Sequence, residues 1–326
     1  MRFILVMGTV LGLGVAAVGQ TSAPDGVDFQ RLAEARRLAR AVQTSVWPGW
    51  DATPFPVLLI LPEREWLIGY PRTPPGFTDA GYSTILQAQM WNRPRQFQPN
   101  LLATFPAFGP PSVVVVGRAE ATKKTSTTWV LTILHEHFHQ YQSANPDYYA
   151  AVEQLGLSGG DQTGLWMLNY PFPYQSVEVA DRFSAVSRDL RRTLERSEAN
   201  ERRKFWQSYT QFLGGLSERD RRYLSFQVWQ EGIARYVELR VAETASRAYE
   251  PSREFQALPD FQPFPAVSRQ MREAILGELA QPDLSKQQRI SFYAFGAGLA
   301  LLLDDDGLVW KTKYLTEKFF IERYLQ

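Results

Sequence analysis

The sequence predicts an α+β fold, with a small N-terminal mixed or antiparallel sheet followed by a larger, mostly helical part. Three observations predict it. Short apolar runs broken by proline and glycine fill 47–111, four consecutive valines stand at Val113–Val116, and apolar residues recur at helical spacing from Thr125 onward. The expected boundaries are a signal segment over 1–19, a helix and strand-bearing part over 20–125, and a helical part over 126–326. The last two form one unit, because their boundary falls just before the richest cluster of chemistry in the chain.

Composition narrows the function classes. Hydrophobic residues make up 44% and charged residues 21%, the balance of a globular chain with a sizeable core. Thirty-five Lys+Arg against 34 Asp+Glu leave no basic or acidic excess, so charge suggests neither a nucleic acid nor an anionic membrane as partner. With no cysteine, disulfides are excluded, and the fold must rest on packing or on packing helped by a metal. The segment MRFILVMGTVLGLGVAAVGQ has one basic residue, a short apolar run and a small-x-small site before Gln20. That pattern predicts a signal peptide cleaved near Gly19/Gln20 and a secreted or periplasmic protein with no membrane span after cleavage.

Along the chain, Phe29, Leu32, Ala35, Leu38 and Val42 first mark a helix over 27–46 with a basic outer face, which Asp25 or Asp28 could cap. Strands are expected in PVLLILP (56–62), EWLIGY (65–70), LLATF (101–105) and SVVVVGR (112–118). The last is either an edge strand able to pair with an extended peptide or a central strand buried on both faces, as valine runs favour. Beyond Thr125 the helical pattern is broken at GLSGGDQTG (156–164), NYPFPYQ (169–175) and the proline-bearing stretch 251–265.

All three histidines of the chain fall within TILHEHFHQYQ, residues 132–142. On a helix, Val130, Leu134, Phe138 and Tyr141 share one face. His135 and His139 stand one above the other, about 40° apart around the axis, with Glu136 beside them, while His137 points about 200° from His135. Two imidazoles at i and i+4 with an intervening glutamate are the arrangement that binds one zinc ion and places a general base, Glu136, at a metal-bound water. His137 is expected to pack or hydrogen-bond within the fold.

A third protein ligand must be a carboxylate, since no other histidine or cysteine exists. Glu231, in FQVWQEGIARYVELR, is the leading candidate, with Glu238 seven residues on and nearly on the same face, able to orient a liganding imidazole. Arg235 between them allows the ordinary alternative, a solvated salt-bridged face. Asp161, in the glycine-rich loop, competes with Glu231 for the ligand role.

HEHFH, then EGIARYVE, then YAFGAGLALLLDD (293–305) resembles zincin metallopeptidases of the gluzincin type, in particular their aminopeptidase-N-like branch. The resemblance covers three short segments. It implies a zincin-like sheet packed on the active-site helix, one zinc ion on His135, His139 and Glu231, Glu136 as general base, and Tyr293 as partner of the oxyanion. Two departures stand out. Glu231 follows His139 by 231 − 139 = 92 residues, far more than in the familiar enzymes, and no Gly-x-Met-Glu-Asn segment for gripping a free amine is present. The resemblance therefore implies an exported zinc metallopeptidase acting on peptide or protein substrates, without implying an aminopeptidase. The alternatives are a non-catalytic metal-binding protein and a degenerate zincin fold used as an interaction module.

Overall fold

The computed structural model describes residues 24 and 26–325 except 162, 197 and 308; the expected signal segment and its cleavage point lie outside them. The first helix, α1 (Gly26–Val46), is followed by six strands: β1 (Val57–Ile60), β2 (Arg64–Ile68), β3 (Thr78–Ser83), β4 (Ala88–Pro94), β5 (Leu102–Phe105) and β6 (Val113–Gly117). They form one sheet in the order β3-β4-β2-β1-β6-β5, with β1 and β6 parallel and the other neighbours antiparallel.

The helical part comprises α2 (Ser126–Ala144), α3 (Tyr148–Gln154), α4 (Trp166–Asn169), α5 (Val177–Arg196), α6 (Ala199–Gly214), α7 (Glu218–Gln227), α8 (Ile233–Ala248), α9 (Arg253–Gln256), α10 (Phe264–Ala280), α11 (Leu284–Gln287) and α12 (Ser291–Asp305). The breaks at 156–164 and 169–175 fall between or at the edges of these helices, whereas 251–265 contains the short α9 and the first residues of α10. The architecture is therefore mixed α+β, with one helix and the six strands first and the other helices after. No helix among the described residues is long and apolar enough to cross a membrane.

The valine run forms β6, and its position decides the question left open for it. It lies between β1 and β5, and Val113–Val116 are fully buried, so it is a central strand and not the edge that an extended peptide could join. That edge is β5, whose residues are all half-buried. Burial on both faces is what four consecutive valines are suited to, at about 1.5–3 kcal/mol of hydrophobic stabilisation for each.

Two strands carry no clear signal in sequence. β3, TDAGYS, is a largely exposed edge with little apolar content. β4, AQMWNRP, buries Arg93, which a hydropathy pattern reads as outward-facing. Arg93 pairs with fully buried Glu65 at 2.8 Å, and its guanidinium lies over the rings of Phe77 and Phe108. A buried charge tolerated by pairing disguises the strand.

Helix α1 departs from its expected basic outer face, most clearly at Arg31. Arg31 turns inward, bonding Ser126 Oγ at 2.7 Å and Glu120 Oε1 at 2.7 Å. Asp28 is also buried and pairs with Arg118 at 3.0 Å. These contacts tie α1 to the start of α2. Asp260 completes the anchor by accepting the backbone N–H and the hydroxyl of Ser126 at 2.8 and 2.6 Å. The result is a helix α2 packed between β5 and β6 on one side and α1 and α8 on the other.

Candidate metal centre

Helix α2 begins at a cap, Thr125, whose side chain accepts from the N–H of Thr128, and continues through residues that are nearly all buried. Val130, Leu134 and Phe138 are fully enclosed. That burial leaves His135, Glu136 and His139 only 7–8% exposed, together on one side of the helix. Their candidate ligand atoms all lie within 4.8 Å of one another, so this cluster could hold a metal ion.

Glu231 arrives from a facing segment. Val228–Gly232, between α7 and α8, is a π-helical turn in which the N–H of Ile233 reaches back to the carbonyl of Val228. Such a turn inserts an extra residue and rotates the helix beyond it, a device common at functional sites. It places Glu231 Oε2 3.8 Å from His135 Nε2 and 3.5 Å from His139 Nε2, while the two Nε2 atoms are 3.2 Å apart. Glu238, further along α8, brings Oε2 to 3.6 Å from the other nitrogen of His135, Nδ1. Asp161 is not in this group. Its carboxylate accepts from the Thr163 N–H and hydroxyl at 2.7 and 2.6 Å and from the Trp166 N–H at 2.8 Å, which ties the glycine-rich loop to the first residue of α4.

Both imidazoles have Nδ1 occupied from behind. His139 Nδ1 stands 2.5 Å from Gln142 Oε1, whose amide nitrogen donates to the Gln230 carbonyl at 2.8 Å and to Tyr314 Oη at 2.6 Å. With Nδ1 turned toward Gln142 in one ring and toward Glu238 in the other, Nε2 is the nitrogen of each imidazole that faces the common point and would bind a metal there. Sequence reasoning did not single out Gln142 or Gln230. Gln142 lies three residues after His139, on the same helical face, and that spacing was the one signal that could have found it.

The electrostatics call for positive charge. Burial works against a charged His135, but hydrogen bonds to Glu231 and Glu238 outweigh it and raise its pKa to about 10. His139 is also raised, burial again opposed by the charge of Glu231. Burial resists ionised carboxylates too, yet the imidazoles hold Glu231 well below its usual range and Glu238 at about 2. Carboxylates that stay ionised against burial define a place where a proton or a metal cation is stabilised.

The remaining residues fall on either side of this point. Glu136 Oε2 accepts from Thr104 Oγ1 of the edge strand β5 at 2.8 Å. Tyr293, on α12, is kept protonated first by burial and then by the charge of Glu231, and its hydroxyl accepts from Arg289. His137 faces away, stacked on Phe55 with centroids 3.8 Å apart and bonded to Gln43 and Gln140, each at 2.7 Å. Burial, with the charge of Arg36 adding, lowers its pKa to about 3, so it is neutral and structural.

The glycines of the two later motifs have a packing role. A methyl group on Gly232 would lie 2.5 Å from Gly296 Cα, and one on Gly296 would lie 2.6 Å from Gly232 Cα. The π-helical turn and α12 therefore touch backbone to backbone, which brings Tyr293 alongside Glu231. Cavities of about 630 and 860 Å³, the first lined by Gln154, Arg222 and Phe319 and the second by Arg202, Trp206 and Asp306, include none of these residues. Comparison of the chain with protein-family models, with curated proteins and with solved structures finds no match in any of the three, so the reading of this cluster rests on its own geometry.

Proposed function

We propose that this protein is an exported zinc-dependent hydrolase that cleaves peptide bonds, a metallopeptidase of zincin type. The observation that carries the reading is the triangle of His135 Nε2, His139 Nε2 and Glu231 Oε2, with edges of 3.2, 3.5 and 3.8 Å. A tetrahedral zinc with ligands at 2.0–2.2 Å has ligand–ligand edges of about 3.3–3.6 Å, so the three atoms fit that ion with little movement. Two nitrogens and one carboxylate oxygen are also a donor set that suits zinc, and three protein ligands are the number that leaves one position open. Export is supported by the N-terminal segment read from sequence.

Zinc bound here would supply a water of pKa near 7 and polarise a carbonyl oxygen. The chain's own residues carry the rest. Glu136 would accept a proton from the attacking water and pass it to the leaving amine, its carboxylate steered by Thr104. Tyr293 would donate its hydroxyl proton in a hydrogen bond to the oxygen that gains charge, a role open to it because burial and Glu231 keep it protonated. Gln142 and Glu238 would hold the imidazoles in the tautomer that leaves Nε2 free. The outer edge of β5, beside Glu136, would accept an extended peptide as an added strand.

The test is metal analysis of the purified protein together with digestion of a peptide library, with and without chelator. One zinc per chain and chelator-sensitive cleavage are expected. Stoichiometric zinc without cleavage of any peptide would leave a non-catalytic metal-binding protein, and absence of bound metal would end both readings.

A further inference from the structure

Arg289 is set apart from most of the chain's arginines by what surrounds it. It lies in a short 3-10 turn, Gln288–Ile290, immediately before α12, and is half-buried. Among the described residues its one hydrogen bond runs from Nη1 to the Tyr293 hydroxyl, and no carboxylate forms an ion pair with it. The groups within its electrostatic range are the phenols of Tyr174, Tyr223 and Tyr293 together with Glu231. Glu231 is committed to the histidine pair, and the phenols are neutral.

The charges sharpen the contrast. A divalent ion in the cluster would be balanced by Glu231 and Glu136, while Glu238 is held first by His135 and then by the charges of Arg235 and Lys124. That leaves Arg289 close enough to feel the charge of Glu231 but with no ion pair of its own among the described residues. The backbone before it is held in an unusual state. Gln288 has φ 50° and ψ −130°, a conformation that side chains other than glycine rarely adopt and that persists where the surrounding structure imposes it. A planar fork with five donors, only one in use, matches a carboxylate in two parallel hydrogen bonds.

We infer that Arg289 is the receptor for a substrate carboxylate, so that the bond cleaved lies next to an anionic group such as a free C-terminus. This rests on the hydrolase reading above. Tyr293, hydrogen-bonded to Arg289 and beside Glu231, limits the distance between that carboxylate and the reacting carbonyl to about one residue. The favoured substrates are therefore peptides or N-acyl amino acids whose leaving amine carries a carboxylate.

Two hydroxamates of equal length separate this inference from the reading beneath it. Zinc-loaded full-length protein is titrated calorimetrically with butyrohydroxamate and with succinic acid monohydroxamate, which differ only in a terminal carboxylate. The charged probe should bind about tenfold to hundredfold more tightly, the range expected of a hydrogen-bonded charge pair. Arg289→Gln should abolish that advantage while leaving butyrohydroxamate affinity unchanged, and Arg289→Lys should keep part of it. Equal affinities in the unmodified protein, or a loss in Arg289→Gln that is the same for both probes, would overturn the carboxylate role alone. Failure of both hydroxamates to bind zinc-loaded protein would remove the open metal position, and this inference with it.

Discussion

Gly232 and Gly296 meet backbone to backbone, close enough that a methyl group on either would lie about 2.5–2.6 Å from the other's Cα. The atoms it would meet belong to the main chain, which cannot swing aside as a side chain can. Gly232→Ala or Gly296→Ala should therefore push α12 away from the π-helical turn and cost about 1–3 kcal/mol of stability. Thermal unfolding measures this directly, with metal content falling in parallel because Glu231 immediately precedes Gly232. A variant of unchanged melting temperature would show that the two helices are not in such close contact.

Metal retention separates the two carboxylates that sequence left in competition. Glu231→Ala removes the oxygen 3.5 Å from His139 Nε2, and the purified protein should hold no stoichiometric zinc. Asp161→Ala should retain it and lose only the hydrogen bonds to Thr163 and Trp166. The reverse pattern, read by elemental analysis, would transfer the ligand role to Asp161.

Changes to the residues behind the imidazoles should weaken metal binding without abolishing it. Gln142→Leu and Glu238→Ala each remove an acceptor at an Nδ1 atom, and a loss of about 10–100-fold in zinc affinity is expected for each. Competition with a chromogenic chelator gives the number. An unchanged affinity in both would mean that the tautomers are set by something else.

Glu136→Gln should keep zinc at its normal stoichiometry and lower hydrolysis by about 10²–10⁴-fold. The amide preserves the shape of the side chain and its contact with Thr104 but cannot take up the proton. Cleavage at an undiminished rate would exclude Glu136 as the base.

Two histidines should tilt stability in opposite directions with pH. His137 has a folded pKa of about 3, below the ordinary value near 6.5, so the unfolded chain binds the extra proton between these values. Stability should fall as pH drops from about 6.5 toward 3, and His137→Gln should flatten that slope. His135 is the reverse case in metal-free protein. Its folded pKa is raised to about 10, so its contribution is complete below about 6.5 and is lost as pH climbs through 10. Zinc loading should remove the alkaline slope, because the ion replaces the proton. Denaturation series at several pH values, with and without zinc, check both halves.

Local order along the chain was enough to reveal helix α2 and the cluster on it that could hold a metal ion. His135, Glu136 and His139 are separated by fixed helical angles, and nothing outside α2 is needed to bring them together. The central valine strand and the breaks between helices were legible for the same reason, since period and turn chemistry are short-range properties. Edge strand β3 was not, because it is largely exposed and has little apolar content, and neither was β4, because burial of Arg93 depends on Glu65 in another strand. The meeting of His139 with Glu231 spans 92 residues, 231 − 139, and is decided by a π-helical turn and by two glycines that admit a neighbouring backbone. Gln142 and Arg289 meet His139 and Tyr293 at local spacings of three and four, but Thr104 reaches Glu136 only when β5 packs on α2, since a partner across elements is set by three-dimensional contact and leaves no periodic trace in sequence.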